Sequence, residues 1–275
     1  SKAASREFGD DRFIADGLTI AGEGDFGVAL DDICFAVRAG EIFGIAGVAG
    51  NGQNELLLAL SGEQPSSPAA AIRLDSHAIA EMDAVGRRSL GLCAVPEERN
   101  GHGAVVDFSL TDNTILTARD RMELASNGVV HGGAATAFAG QIIDDFAVMT
   151  TGPGSLAGSL SGGNLQKFIM GREILQNPDV LIVSQPTWGV DAGAAAAIHQ
   201  ALVDLAENGS AILVISQDLD ELLALCDRLA VINEGRLSKT LNVGEATIDE
   251  IGLLMGGVHG DPFATAEMTE AVHAH

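Results

Sequence analysis

The segment that most constrains the fold is a glycine-rich stretch between two apolar runs. Residues 44–55 read GIAGVAGNGQNE; they overlap the apolar run 41–45 and lead into the leucine-rich run 55–60. The first run predicts a strand and the second a helix, so the glycines form the turn between them. A turn of this kind presents backbone N–H groups at the positive end of a helix, which is a place suited to phosphate.

The glycine spacing within this turn is that of a known phosphate loop. Gly47 and Gly52, with Gly50 between them, match the pattern G-x-x-x-x-G-K-[ST] of nucleoside-triphosphate enzymes. Gln53, however, replaces the Lys, and Asn54 replaces the Ser or Thr. The loop therefore keeps its shape and lacks its charge. Taken alone, it is equally consistent with an ordinary tight turn, because Gly accounts for 34 of the 275 residues.

The composition indicates a globular chain and argues against two classes of function. The apolar fraction is 47% and the formal net charge is −23 at pH 7. An acidic chain without clustered Lys and Arg is unsuited to nucleic acid, and no apolar run of roughly 18 residues is present to span a bilayer. Cys34, Cys93 and Cys226 are isolated, so they predict neither a metal site nor a disulfide framework.

The hydrophobic periodicity divides the chain into an α/β body with a helical insertion. Apolar runs predict short strands early, at 13–20, 29–37 and 41–45, and buried strands late, at 180–183, 211–215 and 229–232. From about 95 to 176 the pattern is mainly helical. We therefore expect a linker at 1–12, one folded domain at 13–258 with a helical subdomain at about 95–176, and a flexible tail at 259–275.

A second motif makes the prediction specific. Residues 160–166 read LSGGNLQ, which resembles the signature motif of ATP-binding-cassette (ABC) ATPases. The other segments follow in that family's order: the glycine loop, a Gln-loop-like segment at 94–99, a Walker B strand ending at 183–187, the segment 189–191 and a switch-histidine-like segment at 215–220. The resemblance implies an ABC-type P-loop NTPase fold, an α/β core with a mostly parallel sheet, N-terminal antiparallel strands and the inserted helical subdomain.

Finer details resemble one branch of the ABC family. The strings GVAGNGQ, VPEERNGHG, LSGGNLQK and QPTWGVD are similar to the second, C-terminal cassette of tandem importers for simple sugars and nucleosides. The resemblance implies the first cassette of the same polypeptide and transmembrane permease subunits as partners, with no nucleic acid. It also implies ATP and Mg²⁺ as cofactors, and a peripheral position at the cytoplasmic face of the membrane. Gln53 and the missing Walker B acids favour the nucleoside branch.

Within this resemblance the chain's own ATP site is degenerate. Ser184 stands where an Asp supports the metal, and Gln185 stands where a Glu positions the attacking water. Gln217 takes the place of the γ-phosphate-sensing His, and Glu97 that of the Gln-loop Gln. Losing one preorganised charge of this kind costs ~10² or more in rate. We therefore expect no intact catalytic position, no metal ligand and no hydrolysis by the isolated domain, while weak nucleotide binding through the loop's N–H groups stays open.

The signature motif, in contrast, is complete. Ser161 is placed as an N-cap, Gly162 and Gly163 allow close approach of another backbone, and Asn164 continues the motif. ABC cassettes pair head to tail. The resemblance therefore implies that this helix N-terminus serves a γ-phosphate held by the partner cassette.

Alternatives stay open for two residues and for the chain as a whole. Asp191 either shapes the contact between cassettes or is a plain N-cap for the following helix. Phe26 is either an aromatic platform for an adenine ring or a core side chain. The whole chain is alternatively an autonomous ABC ATPase with its own turnover, or a non-catalytic nucleotide-sensing or structural ABC module.

Overall fold

A computed structural model describes residues 7–22, 27–64, 66, 68 and 70–257. The strands are β1 (Asp11–Ile20), β2 (Leu30–Arg38), β3 (Ile42–Ala46), β4 (Ile72–Leu74), β5 (His77–Ala78), β6 (Leu92–Val95), β7 (Ala125–Ser126), β8 (Val129–Val130), β9 (Val180–Ser184), β10 (Ala211–Ser216), β11 (Arg228–Asn233), β12 (Arg236–Leu237) and β13 (Leu241–Asn242). The helices are α1 (Gln53–Ser61), α2 (Ala84–Ser89), α3 (Leu110–Ala118), α4 (Gly132–Asp145), α5 (Gly162–Ile174), α6 (Ala192–Glu207), α7 (Leu219–Leu225) and α8 (Ile248–Met255).

A largely parallel sheet forms the centre of the molecule. Its strand order is β12-β11-β3-β10-β9-β6, with β13 also paired to β11. Neighbours from β11 to β6 are parallel, whereas β12 and β13 run antiparallel to β11. Every residue of β3, β9 and β10 is buried, as expected of strands covered on both faces. The carboxyl ends of these strands meet at one edge, where Ala46 pairs with Ser216 and Ser184 with Ile215.

An antiparallel sheet from the N-terminal part packs beside this core. Its strand order is β2-β1-β4-β5. The Phe35 ring of β2 stacks on Phe43 of β3 with centroids 5.8 Å apart, and Phe13 of β1 tilts against Phe35 at 6.2 Å. This aromatic contact joins the two sheets next to the strand that leads into the glycine loop.

The helical insertion lies between β6 and β9 and consists of α3, α4 and α5, with the β7–β8 hairpin. Its buried side chains include Phe138, Ile142, Phe146 and Phe168. Helix α5 approaches the end of α4 closely at Gly171. A Cβ added there would lie 2.6 Å from the ring of Phe146, the residue that follows α4. This packing fixes α5, whose N-terminus carries the signature motif.

A buried charged network attaches the insertion to α2. The Glu173 carboxylate of α5 accepts hydrogen bonds from Arg88 (2.8 Å), Arg172 (2.8 Å), Thr117 (2.7 Å) and Gln176 (3.1 Å). Burial alone would raise the pKa of Glu173, but Arg88 and Arg172 lower it to about 2. Residues of α2, α3 and α5 therefore share one ionised carboxylate.

The predicted fold class is confirmed, and the differences concern element boundaries. Strand β1 begins at Asp11, so the last two residues of the predicted linker belong to the antiparallel sheet. Helix α2 begins at Ala84, where the Asp83 side chain caps it. The buried strand β6 was not predicted. Among the described residues, no helix is long and apolar enough to cross a membrane.

Candidate nucleotide site

The glycine loop connects β3 to α1 at the carboxyl edge of the central sheet. Gly50 and Gly52 have φ values of +83° and +108°, a left-handed conformation that favours glycine. Gly52 is the residue that precedes the first turn of α1. The sequence therefore builds the turn that was predicted, with α1 beginning at Gln53.

The Gln53 side chain folds back into this loop. Its Nε2 donates to the Val48 carbonyl at 2.8 Å, and its Oε1 accepts the Asn51 N–H at 3.1 Å. A Cβ added at Gly47 would lie 2.7 Å from the Gln53 Nε2, so this side chain fills the space under the loop. Gln53 is only 9% exposed, whereas Asn54 is exposed. One N–H that a phosphate would use is therefore already bonded.

Asn51 fixes the loop to the turn after β11. Its Nδ2 donates to the Val48 carbonyl at 2.9 Å, and its Oδ1 accepts the Glu234 N–H at 2.9 Å. The Gly235 N–H donates to the Asn51 carbonyl at 3.0 Å. These contacts hold the loop in place without any ligand.

The neighbouring strand ends place uncharged side chains beside the loop. Ser184 and Gln185 are buried, and Gln185 has a φ of +51°. The Gln185 Oε1 accepts from the Gln217 N–H at 3.4 Å and lies 3.3 Å from the Ser216 Oγ, while the Gln217 residue itself is exposed. Glu97 is exposed on the segment after β6. Ser184, Gln185 and Gln217 thus bring amides and a hydroxyl to this edge, and no charge.

A buried carboxylate lies behind these residues. Glu221 of α7 accepts hydrogen bonds from the Thr187 hydroxyl at 2.6 Å and the Ser216 hydroxyl at 2.8 Å, and His199 Nε2 lies 3.0 Å away. Burial raises the pKa of Glu221, but the bonds from His199, Thr187 and Ser216 outweigh it and lower the pKa. Glu221 therefore stays ionised and joins the 185–190 turn to the end of β10.

The signature motif forms an exposed helix N-terminus. The Ser161 Oγ accepts the Asn164 N–H at 3.4 Å and the Asn164 Nδ2 at 3.0 Å, which caps α5. The Asn164 Oδ1 accepts the Met149 N–H at 2.9 Å. A Cβ added at Gly163 would lie 3.2 Å from the Gly189 carbonyl oxygen, so the helix packs tightly against the 185–190 turn there. Ser161 and Gly162 are exposed, which leaves the end of the helix accessible.

Arg99 lies against this helix end. Its Nη2 donates to the Trp188 carbonyl at 2.9 Å. A Cβ added at Gly162 would lie 2.9 Å from its Nη1, and one added at Gly189 would lie 3.1 Å from its Nη2. A cavity of about 810 Å³ is lined by Arg99, Gly162 and parts of the segments 98–107 and 156–165. The guanidinium therefore lies between the signature helix and the 185–190 turn.

The comparison with known families decides the assignment. The family model described as ABC transporter matches residues 30–188. The chain belongs to the ABC transporter family.

Relatives of this ABC chain include transport proteins of bacteria. It is 40% identical over 226 residues to the guanosine import ATP-binding protein NupO of Bacillus subtilis, covering 82% of this chain and 44% of that protein. It is 39% identical over 233 residues to the nucleoside import ATP-binding protein NupA of Lactococcus lactis, covering 84% of this chain and 44% of the relative. The chain thus spans less than half the length of these relatives.

Solved ABC cassettes share the fold. A dimeric cassette in a post-hydrolysis state with ADP and phosphate has a TM-score of 0.72 at 18% identity, covering 84% of this chain and 98% of the other. A nucleotide-free cassette from an ABC transporter has a TM-score of 0.70 at 19% identity, covering 93% of this chain and 98% of the other. At these identities the likeness concerns the ABC fold alone.

The two halves of this ABC site differ in their fit to nucleotide. In the glycine loop, Gln53 bonds back to the loop and supplies no cation, and Ser184 and Gln185 at the end of β9 supply no carboxylate. In the described part of the chain, no group of His, Cys, Asp or Glu is arranged to hold a metal. The accessible N-terminus of α5, by contrast, fits an external anion.

The remaining predicted residues divide into two cases. Asp191 caps α6 by accepting the Ala194 N–H at 2.9 Å, and this bond lowers its pKa. This confirms the capping role, while a contact with another cassette stays a prediction. Phe26 lies outside the described residues. The sequence did not single out Arg99, Asn51 or Glu221. Their hydrogen-bond partners are distant in sequence or are backbone atoms, and neither kind leaves a motif.

Proposed function

We propose that this chain is the C-terminal cassette of an importer for nucleosides or simple sugars, in which it completes an ATP site on a partner cassette. The observation that carries the proposal is an asymmetry within the chain. The signature helix end is intact and exposed, whereas the glycine loop is occupied by the chain's own Gln53. The names of the relatives and the partial coverage of their length support the importer and the tandem arrangement.

The contribution to the partner's site is electrostatic. Ser161 fixes the first turn of α5, so the free N–H groups and the positive end of the helix dipole point outward together. The other cassette would hold the ATP and Mg²⁺. This chain would orient the terminal phosphate, and the permease subunits at the cytoplasmic face of the membrane would receive the resulting movement.

The chain's own loop is a non-hydrolytic site under this proposal. Hydrolysis needs charges that offset the triphosphate and an acid that positions water. Gln53, Ser184 and Gln185 supply none of them. We infer that the isolated chain does not turn over ATP.

The test is the variant Gly162→Asp in the full-length importer. The new carboxylate would lie beside the Arg99 guanidinium at a helix N-terminus, which is a locally favourable place, so the fold persists. It would repel the partner's phosphate, and we expect steady-state ATPase activity to fall by ~10² or more.

The matched control is Gly132→Asp. Gly132 is also the first residue of a helix, and a Cβ there meets nothing within 4 Å. We expect this variant to keep its ATPase activity. Full activity of Gly162→Asp with an unchanged melting temperature would contradict the proposed function.

A further inference from the structure

We propose that Arg99 is a phosphate-binding residue of the composite ATP site, acting from this chain on the nucleotide of the partner cassette. The inference rests on the proposed function and adds a residue to it. Arg99 belongs to the segment after β6, outside the signature motif and the glycine loop. Arg99 lines the same cavity as Gly162 and Leu165 of α5.

The position of the guanidinium is defined by the signature helix itself. A Cβ at position 162 would lie 2.9 Å from Arg99 Nη1, so the guanidinium uses the space that Gly162 leaves open. The Trp188 carbonyl accepts from Nη2 at 2.9 Å and holds the side chain in this direction. Nη1 therefore lies next to the first residue of the exposed helix end.

The charge of Arg99 is not neutralised within the described residues. Most arginines in this part of the chain form ion pairs, and Arg99 forms none there. A cation at a helix N-terminus is unfavourable, since that end already carries positive partial charge. Glu98 and Asp107 line the same cavity, but neither forms an ion pair with it. A cation and free N–H groups held together in this way are suited to an anion from outside the chain.

The chemistry of that anion follows from the donor geometry. A planar guanidinium with an unbonded Nη1 can bind a phosphate through paired N–H donors, which an ammonium group cannot reproduce. Under the proposed function, the group that arrives at this helix end is the terminal phosphate of ATP. Arg99 would add a positive charge next to the terminal phosphate of the partner cassette's ATP.

The experiment uses the full-length importer with Arg99→Gln and Arg99→Lys. Gln keeps a donor for the Trp188 carbonyl and removes the charge. We expect Arg99→Gln to lower kcat/KM for Mg-ATP by roughly 10- to 100-fold, with Arg99→Lys in between. The control is Arg73→Gln, because Arg73 is an exposed arginine of β4 far from α5 in the topology, and its activity should not change.

A binding measurement separates phosphate contact from a purely structural role. If Arg99 touches the terminal phosphate, Arg99→Gln weakens binding of a non-hydrolysable Mg-ATP analogue and leaves binding of Mg-ADP unchanged. If binding of both ligands weakens equally, the inference is overturned. Loss of uptake with normal ATPase activity would overturn it as well. If Gly162→Asp abolishes ATPase activity while Arg99→Gln keeps it within twofold, this inference fails and the proposed function stands. If Gly162→Asp is active, the proposed function itself fails.

Discussion

At the scale of single residues, the replacement of Lys by Gln at position 53 has a structural consequence as well as an electrostatic one. An amide can donate and accept at once, and Gln53 does both, to Val48 and from Asn51. Gln53 therefore satisfies the hydrogen-bonding capacity of two backbone groups of the loop. A phosphate that entered the loop would have to break these bonds, and Gln53 would offer it no positive charge.

The first prediction concerns the stability of this arrangement. Gln53→Ala removes two hydrogen bonds at a nearly buried position, so the free energy of unfolding should fall by about 1–2 kcal/mol in chemical denaturation. The control is Asn54→Ala at the exposed neighbouring position, which should change it by no more than about 0.5 kcal/mol. Equal effects of the two substitutions would mean that the Gln53 bonds do not stabilise the loop.

A second prediction concerns chemistry at the same residue. Gln53→Lys restores one charge but leaves Ser184 and Gln185 in place of the acids. Phosphate release by the isolated variant should therefore stay at the background rate. Steady turnover would show that the missing acids are dispensable here.

At the scale of elements, helix α5 has two functions that depend on different residues. Its N-terminus presents the signature, and its remaining length packs against α4 within the insertion and joins the insertion to α2. Arg88 and Arg172 share the Glu173 carboxylate, which is fully buried. The end of the helix is therefore held rigidly by contacts far from the site it serves.

The Glu173 network predicts a pH dependence of stability. Its folded pKa of about 2 lies below the ordinary value of 4.5, so the ionised form stabilises the fold. This contribution is fully present above pH 4.5 and is lost as the pH falls toward 2. Glu173→Gln should cost about 3–5 kcal/mol at neutral pH, because two arginines lose their counter-charge. Its stability should also decline less between pH 4.5 and pH 2.

The comparison for that experiment is Asp120→Asn, which breaks the exposed pair with Arg119. Exposed pairs contribute little because solvent screens them. Chemical denaturation across the pH range measures both variants. A parallel decline of wild type and Glu173→Gln would contradict the assignment of this stability to Glu173.

The packing of α4 on α5 predicts opposite changes in stability when two glycines are replaced by alanine. Gly171→Ala would place a Cβ 2.6 Å from the Phe146 ring, so it should lower the free energy of unfolding by about 1–3 kcal/mol. Gly140→Ala lies within α4 with its nearest atom 4.0 Å away, and it should raise the free energy by about 0.5–1 kcal/mol. Melting curves of both variants test the packing of α4 on α5.

The sequence predicts some of these elements well and others poorly, for physical reasons. Strands β9 and β10 are apolar runs that are easy to recognise, because a strand buried on both faces has no alternation of polar and apolar residues. Strand β6 is a run of four residues next to charged ones, which local periodicity does not separate from its surroundings. The loop of Gly47–Gly52 was predicted from its glycine spacing and from the apolar runs on either side of it. The inward fold of Gln53 and the contact of Arg99 with Gly162 were not, because each depends on the positions of backbone atoms.

At the scale of the whole molecule, two surfaces of the cassette differ in the charge that they present. The parallel sheet brings the glycine loop, Ser184 and Ser216 to one edge, as in an ABC fold, and the carboxylate at this edge, Glu221, is buried among its own hydrogen-bond partners. The insertion holds the signature helix and Arg99 at a separate, accessible surface. The ABC fold is thus preserved, and under the proposed function only the signature surface takes part in hydrolysis.

The measurement that tests this claim most directly locates the trapped nucleotide in the full-length importer. Hydrolysis of a photoreactive ATP analogue in the presence of Mg²⁺ and vanadate labels the cassette whose loop holds the nucleotide, and proteolysis between the cassettes identifies it. We expect the label on the partner cassette alone, and we expect this labelling to be lost in the Gly162→Asp variant. Label on the loop of this chain, beside Gln53, would contradict it.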